Sequence, residues 1–331
     1  MKSLTAFAAL AAASLASACT GSWSGSSDPL PRPTAQTSTA TLPTPPSYRV
    51  VETATGLTVP FSALVGRAAQ ADVVYFGEQH DDPETHFLEF ALLEGLGRRH
   101  SKVVLSLEMF ERDTQYDLDR YLAGSLSEGD FLATSRPWPR YATDYRSMVQ
   151  LARARGWKVI AANVPRPMAS AVARRGLSAL DTLTALERTR AAAAMSCGPE
   201  GAYFRRFAET MSGGMHGPGA PPATDTAATR AALIRVYEAQ CVKDETMAES
   251  IARELTSTRR GEGVVLHVNG AFHSDYGQGT AERVRRRTPD IRSLLVTAVP
   301  VEDPANASLG NHGAKADYVI FTRAVVKKPG G

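Results

Sequence analysis

From about residue 55 onward, short β-branched and aliphatic runs alternate with longer stretches of helical spacing, and this rhythm most narrows what the chain can become. The strand-like runs are Asp72–Phe76, Val103–Leu107, Lys158–Ala162, Val264–Val268, Ser293–Val299 and Tyr318–Thr322. Several are continuously apolar, as strands covered on both faces should be. Between them, Asp82-Pro83 reads as a helix start, because proline suits the first helical position and aspartate can cap it. Glu111–Leu122, Tyr145–Arg155, Arg166–Arg174 and Thr280–Arg287 also carry helical spacing. The alternation predicts an α/β fold: a mainly parallel sheet flanked by helices. Residues 177–258 break the rhythm, with helical blocks at Thr184–Met195 and Glu200–Met211, a Gly/Pro-rich gap at Ser212–Ala223, and a long helical stretch to Thr258. They read as a helical insertion between the third and fourth strands. The gap is either a mobile lid or a plain exposed loop.

The first 50 residues are of another kind. Lys2 is followed by an apolar run from Leu4 to Ala16, too short for the roughly 20 residues that a bilayer requires. Ala16-Ser17-Ala18 satisfies the small-x-small cleavage rule, and Cys19 follows immediately. Residues 1–18 therefore read as a signal peptide. The ending is similar to a lipobox, in which Cys19 is lipidated and holds the chain on a membrane; ordinary secretory cleavage before Cys19 is the alternative. Residues 19–50, rich in Ser, Thr, Pro, Gly and Ala, cannot bury enough surface to offset their ordering entropy and read as a disordered tether. The α/β domain then divides into a first half at 51–176, the insertion at 177–258 and a second half at 259–325.

The 331 residues carry 37 basic and 34 acidic side chains, so no nucleic-acid partner is expected. Three cysteines cannot build a four-thiolate zinc site. Beyond Cys19, only Cys197 and Cys241 remain. An oxidising compartment favours a disulfide between them; two buried thiols are the alternative. There is no G-x-G-x-x-G after a strand, no P-loop, no G-x-S-x-G and no H-E-x-x-H, which argues against dinucleotide-dependent, nucleotide-hydrolysing, serine-esterase and zincin chemistry.

The unusual polar residues fall at strand ends. The first strand closes in Gly77-Glu78-Gln79-His80, the second in Glu108, the third in Asn163-Val164-Pro165-Arg166, and the fourth in Asn269-Gly270-Ala271-Phe272-His273. Ligands of open α/β sheets bind beyond the carboxyl ends of the strands. Gly77–His80 and Gly270–His273 are both G-x-x-H, the glycine allowing a sharp turn off the sheet. Two imidazoles with Glu78 or Glu108 suit a divalent transition metal, and Arg166 suits an anionic group. The nearby helix start should depress protonation of His80. His267 reads as a core histidine, and His86 as unspecific.

Taken in order, Tyr75–Asp81, Leu107–Glu111, Asp144-Tyr145-Arg146, Ala162–Arg166 and Val268–His273 resemble the ChaN-like haem-binding lipoproteins, relatives of the Tiki/TraB and erythromycin-esterase-like proteins. The resemblance spans residues 55–325. It implies an α/β fold with an added helical part, export as a membrane-anchored envelope lipoprotein, and haem binding linked to iron uptake. In the wider superfamily the paired motifs serve hydrolysis, which carries over to Glu78, His80, Glu108 and His273, with Arg166. As a metal-dependent hydrolase the chain would hold its ion on His80, His273, Glu78 and Glu108. As a haem protein it would need an axial ligand, and the insertion offers Tyr203, Met215 and His216 beside Phe204 and Phe207. A homodimer is a further expectation.

Overall fold

The computed structural model describes residues 48–215, 226–257 and 261–325. Its strands are β1 (Tyr48–Glu52), β2 (Leu57–Val59), β3 (Val73–Glu78), β4 (Val103–Glu111), β5 (Lys158–Asn163), β6 (Val264–Gly270), β7 (Ser293–Val301) and β8 (Tyr318–Arg323). They form one sheet in the order β2-β1-β8-β7-β3-β6-β4-β5. From β8 to β5 every pairing is parallel, as the βα rhythm predicts. The exception is an antiparallel hairpin, β1 with β2, added to the edge of β8. β1 begins at Tyr48, inside the segment read as tether, because Val50 and Val51 are buried against the sheet.

Period-two alternation assigns each strand two faces. Val74, Phe76, Leu105, Leu107, Leu266 and Val268 point to one side. There they meet α1 (Phe61–Ala68), α2 (Pro83–Gly97), α3 (Gln115–Leu122), α4 (Glu128–Ser135) and α5 (Arg146–Arg155) through Leu64, Leu92, Leu118, Phe131 and Met148. Each such side chain, fully buried, contributes roughly 1.5–3 kcal/mol. Asp82 caps α2 as expected, accepting from the Glu84 backbone N–H, with Pro83 at the first helical position. Glu111 is not the helical residue its spacing suggested. It ends β4, pairs with Asn163 and is buried, and α3 starts four residues later.

After β5 come α6 (Arg166–Arg175), α7 (Ala185–Arg188), α8 (Gly201–Met215) and α9 (Ala227–Ser257). α7 ends well short of Met195. The Thr184–Glu187 capping box starts it, but the N–H groups of Ala192, Ala193 and Ser196 then donate to Thr246, Glu249 and Glu245 on α9. A disulfide joins Cys197, in this same segment, to Cys241 on α9, with Cα atoms 5.6 Å apart. α9 covers the second face of the sheet, where Met247 and Ile251 pack on Val73, Tyr75 and Val265 beside Val284 of α10 (Gly279–Arg287). α10 carries Arg283, Arg285, Arg286 and Arg287; Arg285 and Arg286 are exposed, whereas Arg283 is buried beside Glu245. Among the described residues no helix is long and apolar enough to cross a membrane.

The bridge encloses a sequence separation of 44 residues, for which chain entropy gives about 4 kcal/mol. Urea unfolding of the Cys197→Ser/Cys241→Ser double variant should show a loss of that order; an unchanged midpoint would mean that the bridge holds nothing that packing does not already hold.

Candidate functional site

β6 is threaded between β3 and β4, and this places the two G-x-x-H segments side by side. Glu78 is level with Gly270, and Leu107, just before Glu108, is level with Val268. Neither glycine is there for a left-handed turn: Gly270 has φ −55°, and Gly77 is not among the positive-φ glycines. The reason is close approach. A Cβ on Gly77 would lie 2.9 Å from the Ala271 Cα, and one on Gly270 would lie 2.9 Å from two ring atoms of His80. Each motif's glycine vacates the space that the other motif fills.

His80 and His273 both line one cleft of about 650 Å3 beyond these strand ends, with Glu78 and Glu108. Aromatic walls come from Trp138, Phe207, Phe272 and Tyr276, and cations from Arg206, Lys243 and Lys315. The His80 ring stands edge-on to Trp138, with centroids 4.8 Å apart. Its Nδ1 is bonded to Glu78 Oε1, which also accepts from the Tyr145 hydroxyl at 2.7 Å. Burial disfavours the His80 imidazolium, but the bond to Glu78 and the charges of Glu78 and Glu108 outweigh it and raise its pKa. The helix start therefore does not depress its protonation, because a bonded carboxylate acts at closer range than a dipole end.

His273 is clamped from both sides. Its Nδ1 lies 2.7 Å from Asp244 Oδ1, and its Nε2 lies 3.3 Å from Glu108 Oε1. Desolvation works against its charge, yet Glu108 and Asp244 prevail and its pKa is raised to about 10. Burial would raise the Glu108 and Asp244 carboxyls, but His273 outweighs it and holds both below their ordinary range. The clamp is braced in turn: Gly270 N–H donates to Glu108 at 2.8 Å, and Tyr203 and Thr280 donate to Asp244 at 2.6 and 2.9 Å. Gly279, at φ +57°, lets the chain pass there, since its Cβ would lie 2.5 Å from the His273 carbonyl oxygen. His267 is a core residue, 2.9 Å from Ser106 Oγ, with burial lowering its pKa to about 4.

Glu78, His80, Glu108 and His273 thus share a cleft. Arg166 lies in a neighbouring recess of about 190 Å3, paired with Glu111 at 2.8 Å; Trp138 and Lys243 belong to both spaces. Tyr203, expected as an axial ligand, is buried with its hydroxyl on Asp244, so it braces the His273 clamp instead. Met215 closes α8, while His216 and Cys19 lie outside the described residues. Sequence reading missed Asp244, Trp138 and Tyr276. Asp244 sits mid-helix, three residues after Cys241, with nothing local to mark it. Tyr276 has φ 65°, a conformation rare for a non-glycine residue, and is 41% exposed on the cleft rim under the Arg206 guanidinium.

The family described as "Haem-binding uptake, Tiki superfamily, ChaN" matches residues 64–284. The chain belongs to this family. Among solved structures it is similar to ChaN of Campylobacter jejuni, reported with cofacial haem binding, at 16% identity and a TM-score of 0.61, over 84% of this chain and 97% of that one. It also matches the type III effector HopBA1 at 13% identity and a TM-score of 0.44, over 80% of this chain and 94% of that one. Erythromycin esterase EreC in its open conformation matches at 12% identity and a TM-score of 0.44, over 85% and 100%. No curated protein matches. The likeness to the ChaN structure places this chain in the same α/β fold.

His273 is raised from 6.5 to about 10. Its contribution to stability is therefore complete below about pH 6.5 and is withdrawn as pH climbs through about 10, whereas those of Glu108 and Asp244 are withdrawn as pH falls through the carboxylate range. The His273 ring resonances should stay in the imidazolium position from pH 5.5 to 8.5; a titration midpoint near 6.5 would contradict the clamp. His273→Ala leaves two buried carboxylates without their partner and should cost about 3–5 kcal/mol in urea unfolding.

Proposed function

We propose that this chain is an exported haem-binding lipoprotein of the bacterial envelope, anchored to a membrane through Cys19 and taking part in haem and iron uptake. Family membership supports haem as the ligand, and the observation that carries the reading is the make-up of the cleft. About 650 Å3 lies within the usual ~300–1,000 Å3 of cofactor clefts. Haem requires apolar walls, an axial donor and cations for its propionates. Trp138, Phe207 and Phe272 supply the walls, and Arg206, Lys243 and Lys315 the cations.

His80 is the donor that fits best. Its side chain is 47% exposed. With Nδ1 held by Glu78, Nε2 is the nitrogen left to face a ligand. A carboxylate on the far nitrogen fixes the ring and strengthens its donor character. Haem bound there supplies an iron centre open to such a nitrogen. Pairing of two copies is part of the same proposal.

Hydrolysis is the second reading. The same Glu78–His80 pair is supported as a general base by its geometry, since the buried carboxylate orients the ring toward the cleft. In its metal-dependent form, His80, His273 and a carboxylate would share an ion. His273 would then have to give up a carboxylate at one ring nitrogen.

Titrating hemin into the purified protein should produce a shifted Soret band with saturation, and His80→Ala should weaken binding at least tenfold. A response no different from that of a control protein would end the haem reading. The mass of the loaded species by light scattering reports pairing. In cell fractionation, Cys19→Ser should move the protein out of the membrane pellet; an unchanged distribution would remove the lipid anchor. For hydrolysis, turnover on an ester and peptide panel should fall at least a hundredfold in His80→Ala, and no turnover by wild type would dismiss it.

A further inference from the structure

Glu78 has two oxygens, and only Oε1 serves the cleft. Oε2 points the other way, behind the strand ends, to a second histidine on α2. His86 Nδ1 lies 3.8 Å from Glu78 Oε2 and 3.0 Å from Glu89 Oε2. His86 and Glu89 are one helical turn apart, at i and i+3, so both side chains meet the strand from the same face of α2. One donor atom from each of Glu78, His86 and Glu89 lies within 4.8 Å of the others. Two ligands about 2.1 Å from a common ion are about 3.0–3.4 Å apart, so the His86–Glu89 pair already has that spacing and Glu78 would close in on it.

A second observation points to a ligand. Among the described residues, no donor other than a proton shared between the two carboxyls reaches the buried Glu78 Oε2 and Glu89 Oε1. Glu78 is 1% exposed and Glu89 is 0% exposed. Buried polar atoms of this kind are ordinarily satisfied, and an ion is one of the things that satisfies them. Burial first, then the charge of Glu78 and a hydrogen bond between the two carboxyls, and after these Asp144 and Asp82, push the Glu89 carboxyl well above its usual range, so that without an ion a proton bridges the pair. A bound cation would relieve that crowding of acids.

The surroundings of the cluster also fit. His86 Nε2 lies 3.3 Å from Asp144 Oδ2 and 3.2 Å from the His80 carbonyl oxygen. An imidazole that binds metal through one nitrogen usually gives its other N–H to a carboxylate or carbonyl, as this one can. Asp144 is itself fixed by Arg140 at 2.5 Å and Thr143 at 2.8 Å. On that side a recess of about 610 Å3 has His86 and Asp144 on its wall between Phe87, Phe90 and Arg140, while Glu78 and Glu89 lie behind it.

We propose that Glu78, His86 and Glu89 bind one divalent transition-metal ion, with Asp144 orienting the imidazole. The mixed nitrogen and oxygen donors suit Zn2+, Mn2+ or Fe2+. The site lies behind the cleft in which His80 and His273 sit, shares Glu78 with it and does not depend on haem. Through Glu78 the ion would steady the carboxylate that holds His80, which makes it a positioning element for the cleft.

Zn2+ alone is the probe. Chelator-stripped full-length protein should take up one equivalent by calorimetry and elemental analysis. Glu89→Gln should weaken that uptake at least a hundredfold, and His80→Ala should retain it. X-ray absorption at the zinc edge of loaded wild-type protein needs no variant to fold and should show one imidazole with oxygen donors. Two imidazoles in that shell, or loss of the ion in His80→Ala, would assign the metal to the cleft and overturn the proposal. No uptake by wild type would also overturn it and would leave Glu78 and Glu89 as an acid pair sharing a proton.

Discussion

Two missing methyl groups hold the site together. Because Gly77 and Gly270 have no side chains, the ends of β3 and β6 come close enough for Ala271 to lie over the first motif and the His80 ring to lie over the second. Everything else at the cleft follows from that contact. It sets His80 beside Glu78, and it brings the Gly270 N–H to Glu108 and so fixes one jaw of the His273 clamp. Any side chain at either glycine would separate the strands rather than merely crowd a loop, since the atoms it would meet are an α-carbon in one case and a packed ring in the other.

Around this contact the electrostatics divide by partner. His273 lies between two carboxylates and is an imidazolium. His80 has one carboxylate and one side open to the cleft. His267, inside β6, has a hydroxyl and is neutral. His86 faces acids at both nitrogens while Glu89 remains crowded. His273, His80 and His267 thus differ in state because they are given two, one and no carboxylates as partners. α9 is the structural lever, since it supplies Asp244 to one histidine and Gln240 and Lys243 to the cleft wall, while the disulfide ties it to the segment before α8.

Much of the fold was legible in the sequence. The six parallel strands are the six apolar runs, because strands covered on both faces leave an uninterrupted hydrophobic signature. β1 was hidden, since Tyr48-Arg49-Val50-Val51-Glu52 directly follows a Pro/Thr-rich stretch and gains its order only from pairing with β8. At the site, strand-end residues could be read because chain position alone places them at the sheet's carboxyl edge. Arg166 shows the limit of that rule: β5 is an edge strand, and its end opens on a neighbouring recess. Asp244 and Trp138 come from a helix and a loop whose meeting with the strands is a tertiary event. Tyr203 looked like a ligand by composition, and only its 2.6 Å bond to Asp244 shows the phenol to be committed inward.

The placement of β6 between β3 and β4 has a consequence for the order in which the chain can become itself. The two early strands flank a vacancy that is filled only after more than 150 further residues have been made. Until then both present bare edges, and the pocket has only half its walls. Such non-local closure is slow. The nascent polypeptide therefore carries no working site before its last quarter emerges, and it presents adhesive borders in the meantime that a holding chaperone could recognise.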